Sequence, residues 1–193
     1  MTNIFVFPAA DTHLSSSYFS LVTKMHFRHY RTAETTLYVA PIIFDRNAHI
    51  VPVLVRIADI LWCGAGLSGL YKNSAICIPT SVYSISLLLA DRVGGWDTGP
   101  EAIGEDLHMY LKCYFATAGK LTVQVVHSPA SQCNVSSDVK GYRGWLENIQ
   151  ARYRQALRHM WGSLDTGYAI EKAWDLYWRK DDAVVDWPPA SER

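Results

Sequence analysis

The chain has 193 residues, room for one domain with a real core or for part of a larger one. Of these, 49% are apolar and 19% charged, which excludes a disordered chain. Eighteen basic and eighteen acidic side chains cancel, so no global field draws the protein to nucleic acid or anionic lipid, and any anion site must be a local cluster.

In chain order, the apolar Ile4 to Phe7 reads as a short strand running into Asp11. His26, Arg28, His29 and Arg31 form a basic knot that could face phosphates or simply lie on a surface helix or loop. Thr36 to Ile43 is rich in strand formers and reads as one buried strand ending near Pro41. Val53 to Trp62 predicts a helix with Leu54, Ala58 and Leu61 on its buried face and Arg56 and Asp59 on the other. Cys63 to Asn73, with three glycines, reads as a loop or a broken helix end. Ser84 to Arg92 predicts a second short helix, stopped by Gly94-Gly95.

The clearest helical period follows. Ile103, Leu107, Tyr110, Leu111 and Tyr114 share one face, and Gly119 marks the end. Leu121 to Val126 alternates Leu121, Val123 and Val125 against Thr122 and Gln124, as a strand does. Arg143 to Trp161 predicts a long helix with Leu146, Ile149, Tyr153, Leu157 and Met160 as its buried stripe and Gly162 as its stop. From Asp181 onward, with Pro188-Pro189, the chain reads as a mobile tail. Helices alternating with strands predict an α/β layered fold.

Cys63, Cys77, Cys113 and Cys133 have no metal-ligand spacing and read as small core residues in a reducing compartment. The sequon at Asn134 reads as chance, since no secretory signal precedes it. No apolar run reaches the roughly 20 residues of a membrane-spanning helix, and the longest, Val53 to Leu70, is interrupted by Arg56, Asp59 and glycines.

Chemistry concentrates in three places. In Val93 to His108, Gly94 and Gly95 allow a tight turn and close ligand approach, and Trp96 offers a flat face for a sugar ring. Glu105 and Asp106 then open a helix, where the dipole and free amides favour an ionised carboxylate suited to general base work. Taken alone, such a pair could merely cap the helix. Gln155 and Arg158, three apart on one helical face with Arg152 and His159 beside them, form a local basic patch able to hold a pyrophosphate. Asp11 follows the first strand, where it could bind a metal or make a simple turn. Asp45, Arg46, Asn47 and His49 follow the next strand and rank behind these.

These motifs, in this order, resemble those of family 2 glycosyltransferases, and the Ala-Asp-Arg-Val-Gly-Gly-Trp-Asp and Ala-Ile-Gly-Glu-Asp runs are similar to those of fungal glycosyltransferase 2-like proteins. The resemblance spans about Asp11 to Gly167. It implies a partial GT-A-type fold, the acceptor-side half plus the Asp-x-Asp region, in a catalytic domain over residues 1–170 with 171–193 as a partly mobile C-terminal tail. It implies inverting transfer of a sugar from a nucleotide-sugar donor, a UDP-sugar by family habit, to a hydroxyl of a glycan or lipid acceptor. Asp106 takes the base role with Glu105 beside it, and Gly95, Trp96, Asp97, Gln155, Arg158 and His159 bind donor or acceptor. Asp11 is the metal ligand, for Mg²⁺ or Mn²⁺. Two departures stand out: Ala9 fills the first acidic position of Asp-x-Asp, and His159 stands where processive members carry Trp, with Trp161 two residues on. Only ten residues precede Asp11, so the resemblance implies a domain truncated at its N-terminus, with an open sheet edge and exposed apolar surface. Family habit also implies attachment to the cytoplasmic face of a membrane, whereas the chain itself reads as soluble. The competing reading is a non-catalytic remnant that binds carbohydrate or protein.

Overall fold

The computed structural model describes residues 3–8, 11–29, 31–71, 74, 77–96, 104–160, 162 and 164–178. Its elements run β1 (Ile4–Pro8), β2 (His13–Leu14), α1 (Ser16–Arg28), a 3-10 turn (Ala33–Thr35), β3 (Thr36–Val39), β4 (Ile42–Phe44), α2 (Val53–Ser68), β5 (Val82–Ser86), α3 (Leu87–Arg92), α4 (Glu105–Ala116), β6 (Thr122–Val125), β7 (Ala130–Gln132), α5 (Gly141–Met160) and α6 (Leu164–Trp178). The fold is mixed α/β, as the alternation predicts and as a GT-A-like domain requires.

Four strands form one sheet in the order β1-β5-β3-β6, with β3 and β6 parallel and the other pairs antiparallel. Every residue of the central strands β3 and β5 is buried, because helices cover both faces. On one side Leu37, Val39, Tyr83 and Ile85 meet Leu89 and Ala90 of α3 and Met109 and Cys113 of α4. On the other, Tyr38 and Val82 meet Tyr18 and Val22 of α1. Period-two alternation thus splits each strand between two cores. The polar groups at the second interface are paired: Tyr18 Oη lies 2.7 Å from Ser84 Oγ, and buried His26 Nδ1 lies 3.4 Å from Tyr38 Oη. His26 therefore leaves the basic knot for the core.

A smaller sheet, β2-β7-β4, sits at the ends of these strands. It corrects the reading of Thr36 to Ile43 as one strand. Pro41 has no amide hydrogen to give a ladder, and the chain passes there from β3 in one sheet to β4 in the other. Ser84 to Arg92 is also corrected. Its first residues complete β5, and the helix starts only at Leu87, with Ser86 Oγ accepting from Leu89 N–H as its cap. Past Trp62 the α2 helix continues to Ser68 despite two internal glycines.

Two helices turn opposite faces inward from those predicted. In α2, Leu54 and Leu61 are exposed and the buried residues are Val55 and Asp59. In α5, Leu146, Tyr153, Leu157 and Met160 are exposed, while Gly144 and Asn148 are buried and Arg152 and Gln155 half-buried. Positions 144, 148, 152 and 155 share one helical face. That inward face is polar because it meets hydrogen-bonding loop backbone and a cavity lined in part by polar side chains rather than a greasy core. The outward apolar faces of α2, α5 and α6, including Ile60, Trp174 and Trp178, supply the exposed apolar surface expected. Residues 171–178, assigned to the tail, belong to α6, and the region from Asp181 lies outside the described residues.

All four cysteines are free, Cys77 and Cys113 in the core, where burial pushes the Cys113 thiol up to about 12. Among the described residues no helix is long and apolar enough to cross a membrane.

Candidate active site

A cavity of about 560 Å³ opens between α2, the start of α4, the end of β7 and the last turns of α5. Its lining includes Asp11, Glu105, Asp106, Gln155, Arg158 and His159, six of the nine residues nominated from sequence, drawn from positions up to 148 residues apart.

Asp106 sits in the first turn of α4, whose N-cap is Gly104, a residue with no side chain to cap the helix. Its Oδ1 accepts from the Leu107 backbone N–H at 2.8 Å, and its Oδ2 accepts from the Ser81 N–H at 3.0 Å. The first bond is the capping role that a lone acidic pair suggests. The second reaches across to the segment before β5, and Ser81 presents its amide from a left-handed conformation, φ 58°, that a side chain seldom adopts. Two amides thereby orient the carboxylate, and each oxygen keeps a lone pair for a ligand. Burial and the neighbouring Asp106 charge raise the Glu105 pKa.

The opposite wall is α5. Arg152 Nε lies 2.8 Å from Asp59 Oδ1 on α2, and Arg152 Nη1 donates to Gln155 Oε1 at 3.0 Å. The His159 ring stacks on Trp62 of α2, centroids 4.8 Å apart and planes 27° apart. Burial, then the Arg152 and Arg158 charges, lower the His159 pKa against an opposing pull from Asp106. The site therefore has an acidic wall on α4 and a basic, donor-rich wall on α5.

A third edge comes from the small sheet. Gln132 and Asn134 are buried and border the cavity. Gln132 Nε2 donates to Thr12 Oγ1 at 3.0 Å, and Arg46 Nη1 donates to the Asp11 carbonyl at 2.8 Å, so the segment carrying Asp11 is held from two sides. Asn47 and Asn134 clamp each other: Asn47 Nδ2 donates to the Asn134 carbonyl at 2.7 Å, and Asn47 Oδ1 accepts from Asn134 N at 2.6 Å and Nδ2 at 2.9 Å. An asparagine so buried and engaged fits the reading of its sequon as chance.

The other nominated residues lie elsewhere. Trp96 is outside the cavity lining. It packs on the core beside α3 and α4, its centroid 5.1 Å from Phe5, and its Nε1 donates to Tyr83 Oη at 2.7 Å. Gly94 and Gly95 both have left-handed φ, near 80° and 76°, which makes the turn they were expected to make. The Gly95 carbonyl accepts from Lys112 Nζ at 2.9 Å. Asp97, like Ala9 and Trp161, lies outside the described residues. Sequence reasoning missed Asp59, Trp62, Ser81, Gln132 and Asn134 as neighbours of the site. Only Asp59, an acid in the middle of an apolar stretch, carried a local signal, and it was read as solvent-facing.

Residues 6–180 match the family described as Glycosyl transferase family group 2. The chain belongs to that family. No curated protein and no solved structure matches it. Membership makes the chain a family 2 glycosyltransferase domain, with a sugar donor and an acceptor as its substrates in general terms. The family match covers α4 and α5, and so both walls of the cavity.

Among the described residues no group of three His, Cys, Asp or Glu side chains could hold an ion, and Asp11 is the carboxylate that the small-sheet edge brings to the cavity.

Proposed function

We propose that the protein transfers a sugar from a nucleotide-sugar donor, of the UDP-sugar class, to a hydroxyl of a glycan or lipid acceptor, with inversion at the anomeric carbon. The observation that carries this reading is the single cavity in which Glu105 and Asp106 face Gln155, Arg158 and His159.

The chemistry follows from the two walls. An acceptor hydroxyl lies against Asp106, whose fixed carboxylate takes its proton as the oxygen attacks the anomeric carbon. The bond from that carbon to the diphosphate breaks on the opposite side, which inverts the centre. Negative charge grows on the departing diphosphate oxygens, and the guanidinium of Arg158 and the amide of Gln155 are placed to receive it. Glu105 adds negative potential beside the base. A divalent ion, Mg²⁺ or Mn²⁺, bound with the diphosphate would have Asp11 as a carboxylate ligand at the edge of the cavity.

The test is transfer by the purified chain against a panel of UDP-sugars and glycan acceptors. Asp106→Asn keeps the shape of the side chain and one of its two amide contacts, since the new NH2 cannot accept from an N–H, and it removes the basicity. Transfer should fall at least 10²-fold while glycan binding stays. Transfer surviving in this variant would sink the assignment of the base. Binding of glycan without any transfer by the wild type would favour a binding module instead.

A further inference from the structure

The two inward turns of α5 are held by α2, and the chemistry of that hold decides what α5 shows to the cavity. Asp59 is 3% exposed, in a helix whose other buried residue is Val55. Burial raises its pKa against the opposing pull of Arg152, and its Oδ2 has no hydrogen-bond partner among the described residues, so Arg152 is the group that keeps the charge tolerable. Arg152 in turn donates from Nη1 to Gln155 Oε1. An arginine has donors and no acceptor. Gln155 must therefore give Arg152 its carbonyl oxygen, and the half of the amide left for a ligand is Nε2, with its two hydrogens. Without Arg152 the amide is free to rotate and offer either end.

We infer that Asp59 is a positioning residue for this site: acting through Arg152, it sets the Gln155 amide so that a hydrogen-bond donor meets phosphate oxygens in the cavity. This rests on the glycosyltransferase reading only for the identity of those oxygens, the diphosphate of the donor. The polarity of the amide is set by this chain's own residues. Trp62 works beside it, one turn further along α2, by holding the His159 ring against the same wall. Asp59 touches no ligand, and its effect must vanish when Gln155 is absent.

That condition supplies the experiment. Removing Asp59 or Arg152 alone strands a buried charge, so both are replaced together by leucine, an exchange that buried ion pairs commonly survive. UDP with Mn²⁺ is titrated calorimetrically into the wild type, Gln155→Ala, Asp59→Leu/Arg152→Leu, and the triple variant. Gln155→Ala and the pair variant should each weaken binding about tenfold, the worth of one hydrogen bond to a charged oxygen. The triple variant should bind no more weakly than Gln155→Ala. A further loss in the triple variant would mean that the pair acts on the site by some other route, and the inference would fail. It would also fail if Gln155→Ala weakened UDP while the pair variant bound like the wild type. A ligand-free arm separates this from the donor reading. In ¹H–¹⁵N spectra the Gln155 side-chain amide, assigned by its loss in Gln155→Ala, should be shifted from the free-glutamine position in the wild type and return to it in the pair variant. If UDP binds no form but the amide behaves so, the donor reading falls and the positioning stands. An amide unchanged between wild type and pair variant overturns the positioning whatever binds.

Discussion

Replacing Gly144 with alanine should be among the costliest single-methyl additions available to this chain. Gly144 is buried on the inward face of α5, three residues after the left-handed Gly141 that starts the helix. A Cβ there would stand 1.7 Å from the Val139 carbonyl oxygen and 2.6 Å from its carbon. Both atoms are backbone, so no rotamer change relieves the clash, and the contact must open by roughly 1.3 Å to become tolerable. Opening it strains the anchor that holds the start of α5, where Asn148 Nδ2 donates to the Gly144 carbonyl and Asn148 Oδ1 accepts from Ser137 N–H, each at 2.7 Å. Overpacking typically costs about 1–3 kcal/mol, and two strained buried hydrogen bonds add about 1 kcal/mol each. The expected destabilisation is therefore about 3–5 kcal/mol, partly offset by the better helix propensity of alanine, about 1 kcal/mol. Urea unfolding followed by circular dichroism measures it as a fall in midpoint at constant slope. A loss below about 0.5 kcal/mol would refute the packing argument and imply that the loop around Val139 yields freely. Because α5 carries Gln155, Arg158 and His159, ligand affinity should fall along with stability.

Glu105→Gln should stabilise the protein at neutral pH. The folded pKa of Glu105 is raised, so the folded state holds its proton more tightly than the unfolded chain, and stability declines as pH rises through the interval between the two values. Above that interval the glutamine variant should melt at a higher temperature than the wild type, and the gap should close in acid; a gap that widens in acid would reverse the sign of the argument. Asn47→Ala should cost about 2–3 kcal/mol in urea unfolding, since it leaves the Asn134 amide and carbonyl unpartnered in a buried site; a neutral result would mean water replaces the clamp. Tyr83→Phe removes the acceptor of the Trp96 indole and should cost about 1 kcal/mol without changing transfer, because Trp96 lies outside the cavity; a large drop in transfer would draw Trp96 back into the site.

Local sequence sufficed where one rule acted on a continuous stretch. The helix over Leu107 to Tyr114, the alternation of Leu121 to Val125 and the left-handed glycines at 94, 95 and 119 all appear in the structure, since each expresses a preference that needs no distant partner, although α4 buries Met109, Tyr110 and Cys113 and leaves Tyr114 exposed instead of turning the whole predicted face inward. The order of the Glu-Asp and Gln-x-x-Arg motifs was legible in the same way and pointed to the family that the chain belongs to.

Facing was a different matter. Periodicity shows that α2 and α5 are two-sided but not which side turns inward, and the assumption that apolar means buried picked the wrong side in both. What turns α5 is a set of long-range contacts: Asn148 to Ser137, Arg152 to Asp59, His159 to Trp62. The gathering of Asp11, Asp106 and Arg158 about one cavity is likewise a property of the two sheets and the helices between them, as is the exclusion of Trp96 from it. A side chain's type is written locally, but its neighbours are chosen by the packing of the whole chain, and it is those neighbours that turn the inward edge of a polar helix into a site.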